Sequence, residues 1–270
     1  MTDLKALTAN RIFDGAEWHE NAAVVFSNGR IDRIQPSASL APEIERIDGS
    51  EIIAPGFIDL QVNGGGGVLL NEEPTVEGIA TICAAHAKFG TTALLPTLIT
   101  DTPDISARTV AAGIDAKTRG IRGFLGLHLE GPHLSVARKG AHDPKLIRPM
   151  GDRDLDLMLS CGRALDVLMV TIAPESVTQE QVTKLADAGI IVSLGHTEAS
   201  YDTAAAYAKA GIRTVTHLFN AMSPLGHREP GLVGAALDTG ALYAGLIADG
   251  IHVHPAAMGA ALRAKAGPGK

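Results

Sequence analysis

The hydrophobic pattern divides the chain into two parts with different predicted elements. Over the first fifty residues, apolar and polar positions alternate as they do in β-strands. Two such runs in AAVVFSNGRIDRI (residues 22–34) meet at Asn28-Gly29, a typical hairpin turn. From residue 54 onwards, short apolar runs alternate with helix-length segments such as TVEGIATICAAHAKFG (residues 75–90). We therefore predict a small β-sandwich-like domain over residues 1–53 and a larger domain of strand–helix units over residues 54–270.

The larger domain is predicted to be a parallel α/β fold because its strands and helices alternate. Its helix at TQEQVTKLADAG (residues 178–189) begins with a Thr178–Gln181 capping box and ends at Gly189. A doubly wound sheet is the alternative, but NGGGGV (residues 63–68) lacks the glycine spacing of a phosphate-binding loop. We predict a (β/α)₈ TIM-type barrel, in which the chemistry lies at the carboxyl ends of the strands. The predicted strands end near Val62, Pro96, Leu129, Ile172, Leu194, Thr216 and Ile247.

Composition and charge exclude several classes of protein. The 270-residue chain carries a net charge of −7 without a basic run and has 4% aromatic residues, so we expect no nucleic-acid partner. No apolar run is long enough to span a membrane, and the N-terminus lacks the layout of a signal peptide. The two cysteines, Cys83 and Cys161, fall in helix-like segments and fit a reducing compartment. We expect a cytoplasmic globular protein.

Three polar residues stand at the ends of predicted barrel strands. Glu130 ends the third strand, His196 the fifth and His217 the sixth. One carboxylate and two imidazoles suit a catalytic Zn²⁺ with a position left for water, and Fe²⁺ or Mn²⁺ accept the same ligands. Any one of these residues alone would be read as an ordinary hydrogen-bonded polar group. Three such residues at the ends of three barrel strands predict a metal site.

Further polar residues are assigned by their distance from this site. His128 lies two residues before Glu130 and is expected to support it from one layer deeper, whereas His133 is expected at the surface. On the first strand Gln61 and Asn63 share a face with Asp59. Many metal-dependent hydrolases of this barrel class carry a His-x-His pair there, and neutral amides are poor ligands for transition metals. We therefore expect one metal ion rather than two.

A candidate anion site follows the sixth strand. Arg228 precedes Glu229-Pro230-Gly231, and Pro230 resembles the first position of a helix. An arginine beside a helix N-terminus is typical of phosphate sites, although a surface arginine near a helix cap explains the pattern equally well. At the end of the seventh strand, ADGIHVHP (residues 248–255) offers Asp249 and His252 at the same rim.

Six segments together resemble the N-acetylglucosamine-6-phosphate deacetylase family of the amidohydrolase superfamily. They run in order from about residue 54 to residue 254, and the combination is more specific than any one of them. The segments are APGFIDLQVNGGGG, HLEGPHL, KGAHDP, LGHTEA, THLFNAMSPL…REPGLVGAAL and ADGIHVHP.

The resemblance implies roles for particular residues. Glu130, His196 and His217 match the metal ligands, and Gln61 matches the single-metal branch of the superfamily. The substrate implied is a small amino-sugar phosphate, hydrolysed to glucosamine 6-phosphate and acetate. The counterpart of Arg228 can serve the partner subunit's site, which implies a homodimer. Positions that match contacts to the sugar phosphate are Ala141, His142, Asn220, Ala221, Arg228, Asp249, Gly250, Ile251 and His252.

The family's general acid–base is an aspartate on the eighth strand, and the sequence contains seven predicted strands. We therefore assign no catalytic acid–base within the chain, since the expected aspartate would lie beyond Lys270, and we expect metal binding with feeble deacetylation. Two alternatives remain at this point. One is another amidohydrolase acting on a cyclic amide, or a deaminase, which Gln61 and Asn63 disfavour. The other is a protein that binds amino-sugar phosphate or metal without turnover.

Overall fold

The computed structural model describes residues 4–266. The chain forms two compact units, Met1–Phe57 and Ile58–Lys270. No helix among the described residues has both the length and the apolar character needed to cross a bilayer.

The first unit is a five-stranded sheet. Strands β2 and β3 form the hairpin predicted from Asn28-Gly29, and both turn residues have positive φ, 50° and 73°, as a tight hairpin requires. β1 lies between β2 and β4 in the order β3-β2-β1-β4, with β5 parallel to one end of β1. Apolar residues of the sheet pack into two small clusters. The strands are β1 (Lys5–Phe13), β2 (Trp18–Ser27), β3 (Arg30–Pro36), β4 (Glu45–Asp48) and β5 (Ile52–Ile53), with a 3₁₀ turn at Ser37–Ser39.

The second unit is built on a parallel sheet of seven strands in the order β14-β13-β12-β11-β10-β9-β6. A two-residue pair, β7 and β8, follows the first of them. Along the sheet each strand pairs with the next strand in the chain, as in a TIM barrel. Its strands are β6 (Phe57–Val62), β7 (Gly64–Gly65), β8 (Val68–Leu69), β9 (Thr91–Ile99), β10 (Leu127–Glu130), β11 (Leu168–Ile172), β12 (Ile191–Leu194), β13 (Thr214–Val215) and β14 (Tyr243–Ala244).

Helices connect the strands and bury their apolar residues in one large core. The Thr178–Gln181 capping box is present as predicted: the Thr178 hydroxyl accepts from the Gln181 N–H, and the Gln181 side chain accepts from the Thr178 N–H. The chain after this helix turns at Gly189 with a φ of 81°. The helices are α1 (Val76–Ala87), α2 (Pro103–Thr118), α3 (Asp152–Ala164), α4 (Gln179–Asp187), α5 (Tyr201–Lys209), α6 (Gly231–Asp238) and α7 (Pro255–Ala264), with a 3₁₀ turn at Val136–Arg138.

The seven-stranded sheet curls until its two outer strands face each other. Residues of β6 and residues 243–248, which begin with β14, line one cavity of about 560 Å³. Among the described residues, β14 and β6 are not paired with each other and no further strand lies between them. The sheet is therefore an incomplete barrel, as the sequence predicts. Both the α/β class and the barrel architecture are therefore confirmed. The sequence placed the end of β9 three residues too early, at Pro96, and the end of β14 three residues too late, at Ile247. Residue patterns locate the boundaries of an element less well than its presence.

Candidate active site

Three side chains meet at the carboxyl ends of the central strands. Glu130 is the last residue of β10, and His196 and His217 each follow two residues after the ends of β12 and β13. All three are buried, with 2%, 4% and 8% of their surface exposed. The Glu130 Oε1 atom lies 3.1 Å from His196 Nε2 and 3.0 Å from His217 Nε2, and the two nitrogens are 3.1 Å apart.

Hydrogen bonds on the far side of each ring decide which nitrogen faces the cluster with a lone pair. His196 Nδ1 lies 2.8 Å from the Arg138 carbonyl oxygen, and His217 Nδ1 lies 3.1 Å from that of Asn220. A carbonyl only accepts, so each Nδ1 carries a hydrogen and the neutral ring presents an unprotonated Nε2. Three acceptor atoms within 3.1 Å repel one another unless a cation or extra protons lie among them. These three lone-pair atoms therefore fit a divalent metal ion as its ligands.

The backbone beside these ligands is unusual. His196, His217, Phe219 and Ala221 all have positive φ values, between 35° and 80°, although none is glycine. Such conformations cost on the order of 1–3 kcal/mol each and cluster at functional sites. In this chain they turn two imidazoles inward immediately after their strands end. The sequence carried no signal for this strain.

The carboxylate at the centre is held in its charged form. Burial alone would raise the pKa of Glu130, but in the metal-free protein hydrogen bonds from His196 and His217 and the charge of nearby imidazoles outweigh burial and hold the pKa well below its ordinary value. A cation among the three groups acts on the carboxylate in the same direction. Glu130 is therefore anionic at neutral pH and has no proton to donate.

His142 approaches the same cluster but presents a hydrogen to it. Its Nδ1 accepts the Thr100 N–H at 3.2 Å, so the neutral ring carries its hydrogen on Nε2. Burial lowers the pKa of His142 to about 4, which keeps it neutral at pH 7. Nε2 lies 3.9 Å from Glu130 Oε2, beyond hydrogen-bond distance, and is free to donate to a ligand.

Distance alone would allow a different ligand set. Atoms of Glu130, His142 and His196 also lie within 4.8 Å of one another. A metal ligand must offer a lone pair, however, and His142 Nε2 bears a hydrogen whereas His217 Nε2 does not. The tautomers therefore favour Glu130, His196 and His217 as the ligands.

His128, itself fully buried, lies beneath the cluster in a hydrogen-bond network. Its Nδ1 donates to the Leu60 carbonyl at 3.0 Å, and its Nε2 accepts from the Thr171 hydroxyl at 2.7 Å. The network continues from Thr171 to Thr216 and Ser193, at 2.7 and 2.6 Å. Burial lowers the pKa of His128 to about 4, so the ring is neutral and joins β10 to β6 and β11 without carrying charge.

We expect His128→Leu to destabilise the metal-free protein. The substitution removes a partner from the buried Thr171 hydroxyl and from the part-buried Leu60 carbonyl. A buried polar group costs about 1–3 kcal/mol when unsatisfied, so the unfolding free energy should fall by about 2–4 kcal/mol at pH 7. His86→Leu, which removes one contact at the half-buried Gly64 carbonyl, should cost less. Urea titrations of both variants in chelator measure the difference, and equal losses would contradict it.

The same variant should show a reduced dependence of stability on acid. Because the folded His128 has a pKa of about 4 against 6.5 for an ordinary histidine, only the unfolded state takes up its proton between these pH values. His128 therefore lowers the stability of the native protein by about 1.4 kcal/mol per pH unit as the pH falls from 6.5 towards 4, and this contribution is absent in His128→Leu. Metal-free titrations at pH 7 and pH 5 measure it. A gap between the two proteins that stays constant with pH would contradict the assignment.

The remaining predicted residues of the first strand line the cavity beside the cluster. Asp59, Gln61 and Asn63 share this wall with Thr216 and His217. The Asp59 carboxylate accepts the N–H of Gln61, which shapes the end of the strand. The cavity of about 560 Å³ is large enough for a phosphorylated monosaccharide.

The predicted substrate residues fall into two groups. His142 is buried at the cluster, and Asn220 and Ala221 are half-buried on the strained loop that also supplies the carbonyl contact to His217. The others are exposed and the structure does not bring them into the cluster: they are Ala141, Arg228, Asp249, Gly250, Ile251 and His252. The Asp249 carboxylate accepts the His252 side chain and two backbone N–H groups, which lower its pKa to about 2.

The helix N-terminus next to Arg228 has no N–H groups left for phosphate. α6 begins at Gly231, one residue later than expected, and Gly231 N–H donates to the Glu229 carboxylate. The next two N–H groups, of Leu232 and Val233, donate to the hydroxyl and carbonyl of Ser223. The helix end therefore has no free N–H group to contribute to the predicted anion site, because the Glu229 carboxylate and the hydroxyl and carbonyl of Ser223 already accept these hydrogens.

Sequence reasoning also misplaced or missed three residues. His133, expected at the surface, is 1% exposed, and its Nδ1 donates to the Arg148 carbonyl. Glu175 was missed: its carboxylate accepts the Thr197 hydroxyl and the Glu198 N–H and so holds the turn after His196. Thr100 directly follows β9 and was missed because the sequence placed the end of that strand near Pro96.

Comparisons with known proteins agree with this architecture. A family model described as "Amidohydrolase family" matches residues 52–269, and one described as "NagA composite domain" matches residues 5–50. An N-acetylgalactosamine-6-phosphate deacetylase of Shewanella sp. (strain ANA-3) is 44% identical over 253 residues, which are 91% of this chain and 63% of that protein. An N-acetylglucosamine-6-phosphate deacetylase of Haemophilus influenzae is 39% identical over 235 residues, 86% of this chain and 61% of that protein.

Solved structures give the same result. The crystal structure of N-acetylglucosamine-6-phosphate deacetylase from Pasteurella multocida superposes with a TM-score of 0.92 at 34% identity, covering 97% of this chain and 69% of that chain. This chain spans less than two thirds of the length of the two curated relatives. By the family match over most of its length, the chain belongs to the amidohydrolase family, and it is similar to N-acetylglucosamine-6-phosphate and N-acetylgalactosamine-6-phosphate deacetylases of that family.

Proposed function

We propose that this chain carries the active site of a metal-dependent deacetylase. The reaction is hydrolysis of the acetamide of N-acetyl-D-glucosamine 6-phosphate to glucosamine 6-phosphate and acetate. The observation that carries the proposal is the set of three inward acceptor atoms, within 3.1 Å of one another, at the strand ends of an amidohydrolase barrel. The names of the relatives support the substrate class, and they include both the glucosamine and the galactosamine form.

The metal is proposed to be a single Zn²⁺ held by Glu130, His196 and His217. Fe²⁺ and Mn²⁺ accept the same nitrogen and oxygen ligands, and the amides Gln61 and Asn63 argue against a second ion. When bound, the ion supplies a Lewis acid and lowers the pKa of water to about 7. The carbonyl contacts to both Nδ1 atoms keep the two rings oriented for this ion.

His142 is proposed to stabilise the charge that develops on the acetamide oxygen. Its neutral Nε2–H points into the site without a partner, and a fixed donor of this kind acts where negative charge appears in the transition state. The same ring is a poor base, because its Nδ1 lone pair is already in use and its pKa is about 4. Glu130 is the sole carboxylate of the described metal-ligand cluster, so none of these residues is assigned the acid–base role.

The test is acetate release by the mass-verified chain after reconstitution with each metal. N-acetylglucosamine 6-phosphate, its galactosamine epimer and unphosphorylated N-acetylglucosamine are compared, and calorimetry measures binding of each sugar. Turnover of a phosphorylated sugar supports the proposal. Binding without acetate release would instead favour the non-catalytic protein, and turnover confined to cyclic amides would favour another amidohydrolase.

Arg228 is proposed to bind the phosphate through its own guanidinium, without the helix end. Arg228→Ala should weaken binding of the phosphorylated sugar about 10- to 100-fold, as loss of a charged hydrogen bond of about 1.5–3 kcal/mol implies, and leave the unphosphorylated sugar almost unchanged. Arg108→Ala is the matched control, because Arg108 is also an exposed arginine but lies on α2. Calorimetry with both sugars measures the effect, and equal losses for the two would contradict it.

We also propose a homodimer, in which the exposed Arg228 serves the site of the partner subunit. A solution mass measurement of the intact chain tests the dimer. Mixing an Arg228→Ala chain with a His196→Ala chain tests the shared site, because a mixed dimer would then contain one site with both functions intact. A monomer that binds the phosphorylated sugar as well as the mixture would contradict this arrangement.

A further inference from the structure

Thr100 makes two contacts to one atom of His142. It lies directly after β9 and is 6% exposed. Its backbone nitrogen is 3.2 Å from His142 Nδ1, and its hydroxyl oxygen is 2.7 Å from the same atom. The hydroxyl is also 3.5 Å from the carbonyl oxygen of Glu130, the metal-ligand candidate on the neighbouring strand.

The amide contact decides the direction of the hydroxyl contact. A backbone N–H only donates, so His142 Nδ1 must present a lone pair to it. A hydrogen on Nδ1 would instead face the amide hydrogen. The Thr100 hydroxyl therefore donates to Nδ1 as well, since 2.7 Å is a good hydrogen-bond distance and its second acceptor lies at the 3.5 Å limit. Two donors converge on one nitrogen and leave the hydrogen of the ring on Nε2.

The neighbouring backbone leaves room for this hydroxyl. Gly131 has a φ of 90°, and a Cβ at that position would overlap the Thr100 hydroxyl oxygen. The space beside Thr100 thus exists because residue 131 has no side chain. The absence of a side chain at Gly131 therefore allows the Thr100 hydroxyl to lie against the His142 ring.

We infer that Thr100 is a positioning residue that holds His142 as the Nε2–H tautomer, with that hydrogen directed into the metal site. The consequence for the chemistry rests on the proposed function: His142 then donates to the acetamide oxygen instead of joining the metal as a further ligand. Without the hydroxyl, the Nδ1–H tautomer becomes more populated, and its Nε2 lone pair can compete for the ion.

The test compares Thr100→Val, which keeps the shape and loses the hydroxyl, with Thr100→Ser, which keeps the hydroxyl. Thr109→Val is the matched control, because Thr109 is equally buried and its hydroxyl has no hydrogen-bond partner. Long-range ¹⁵N–¹H spectra of the zinc-loaded chain report the tautomer, with His142 assigned from its signals missing in His142→Gln. Melting curves verify that all variants are folded.

We expect wild type, Thr100→Ser and Thr109→Val to show His142 with a hydrogen on Nε2 alone. In Thr100→Val the Nδ1 signal should move and the Nε2–H population should fall. Where acetate release is measurable, kcat should drop about 10-fold in Thr100→Val with little change in KM, and Thr100→Ser should recover most of it. A His142 spectrum unchanged in Thr100→Val would overturn the inference. The spectra decide it even for a chain that releases no acetate, so its failure is distinguishable from failure of the proposed function.

Discussion

His196→Ala should reduce bound metal from one equivalent per chain to a small fraction of one and abolish metal-dependent acetate release. Structural zinc sites bind with about 10–16 kcal/mol in total, so one of three or four ligands accounts for about 3–4 kcal/mol, or a factor of a few hundred. In this chain the loss is compounded because Nε2 of His196 is 3.1 Å from both remaining ligand atoms. In the part of the chain that the structure describes, His142 also reaches the cluster, but its Nε2 carries a hydrogen and cannot replace the lost ligand.

Elemental analysis after dialysis against a weak chelator measures this effect, with zinc stoichiometry as the primary result. His19→Ala is the control: His19 lies in the first unit and pairs with Asp14, so metal content should not change. Full metal content in His196→Ala would show that the ion is held elsewhere. Two equivalents in the wild-type chain would contradict the single-metal assignment and reopen a role for the first strand.

His142→Phe should leave the metal in place and lower kcat by about 10²–10³-fold, the usual loss when one donor to a developing oxyanion is removed. Phenylalanine keeps a ring of similar size in the buried position, 4.4 Å from the His196 ring, but has no N–H to donate. The variant therefore separates the two ligand sets that distance alone allows.

Metal content decides between them without any measurement of activity. If Glu130, His142 and His196 were the ligands, His142→Phe would lose its metal and His217→Ala would retain it. We expect the reverse. Melting curves of both variants show whether the fold is intact, and a change in KM without a change in kcat would indicate that His142 binds the sugar and takes no part in the transition state.

Local patterns in the sequence determined the elements and the place of the site. The alternation of strands and helices predicted the barrel, Thr178 and Gln181 marked a helix start, and Asn28-Gly29 marked a hairpin. These features depend on neighbours within a few residues, which is why periodicity and capping reveal them. The positions of Glu130, His196 and His217 could be read for a similar reason, since in a parallel barrel every strand end meets at one rim.

The tertiary structure alone decided how the polar groups pair. Thr100 and His142 are 42 residues apart, and His128 and Leu60 are 68 apart, so no local pattern records either contact. His133 is buried although its surroundings in the sequence are polar and turn-like. The N–H groups at the start of α6 donate to Glu229 and Ser223, so the helix end does not contribute to the anion site predicted beside Arg228. Sequence determines which groups can donate or accept, but hydrogen bonds extend only about 3 Å, so the packing of distant strands decides which nitrogen of each histidine carries its hydrogen.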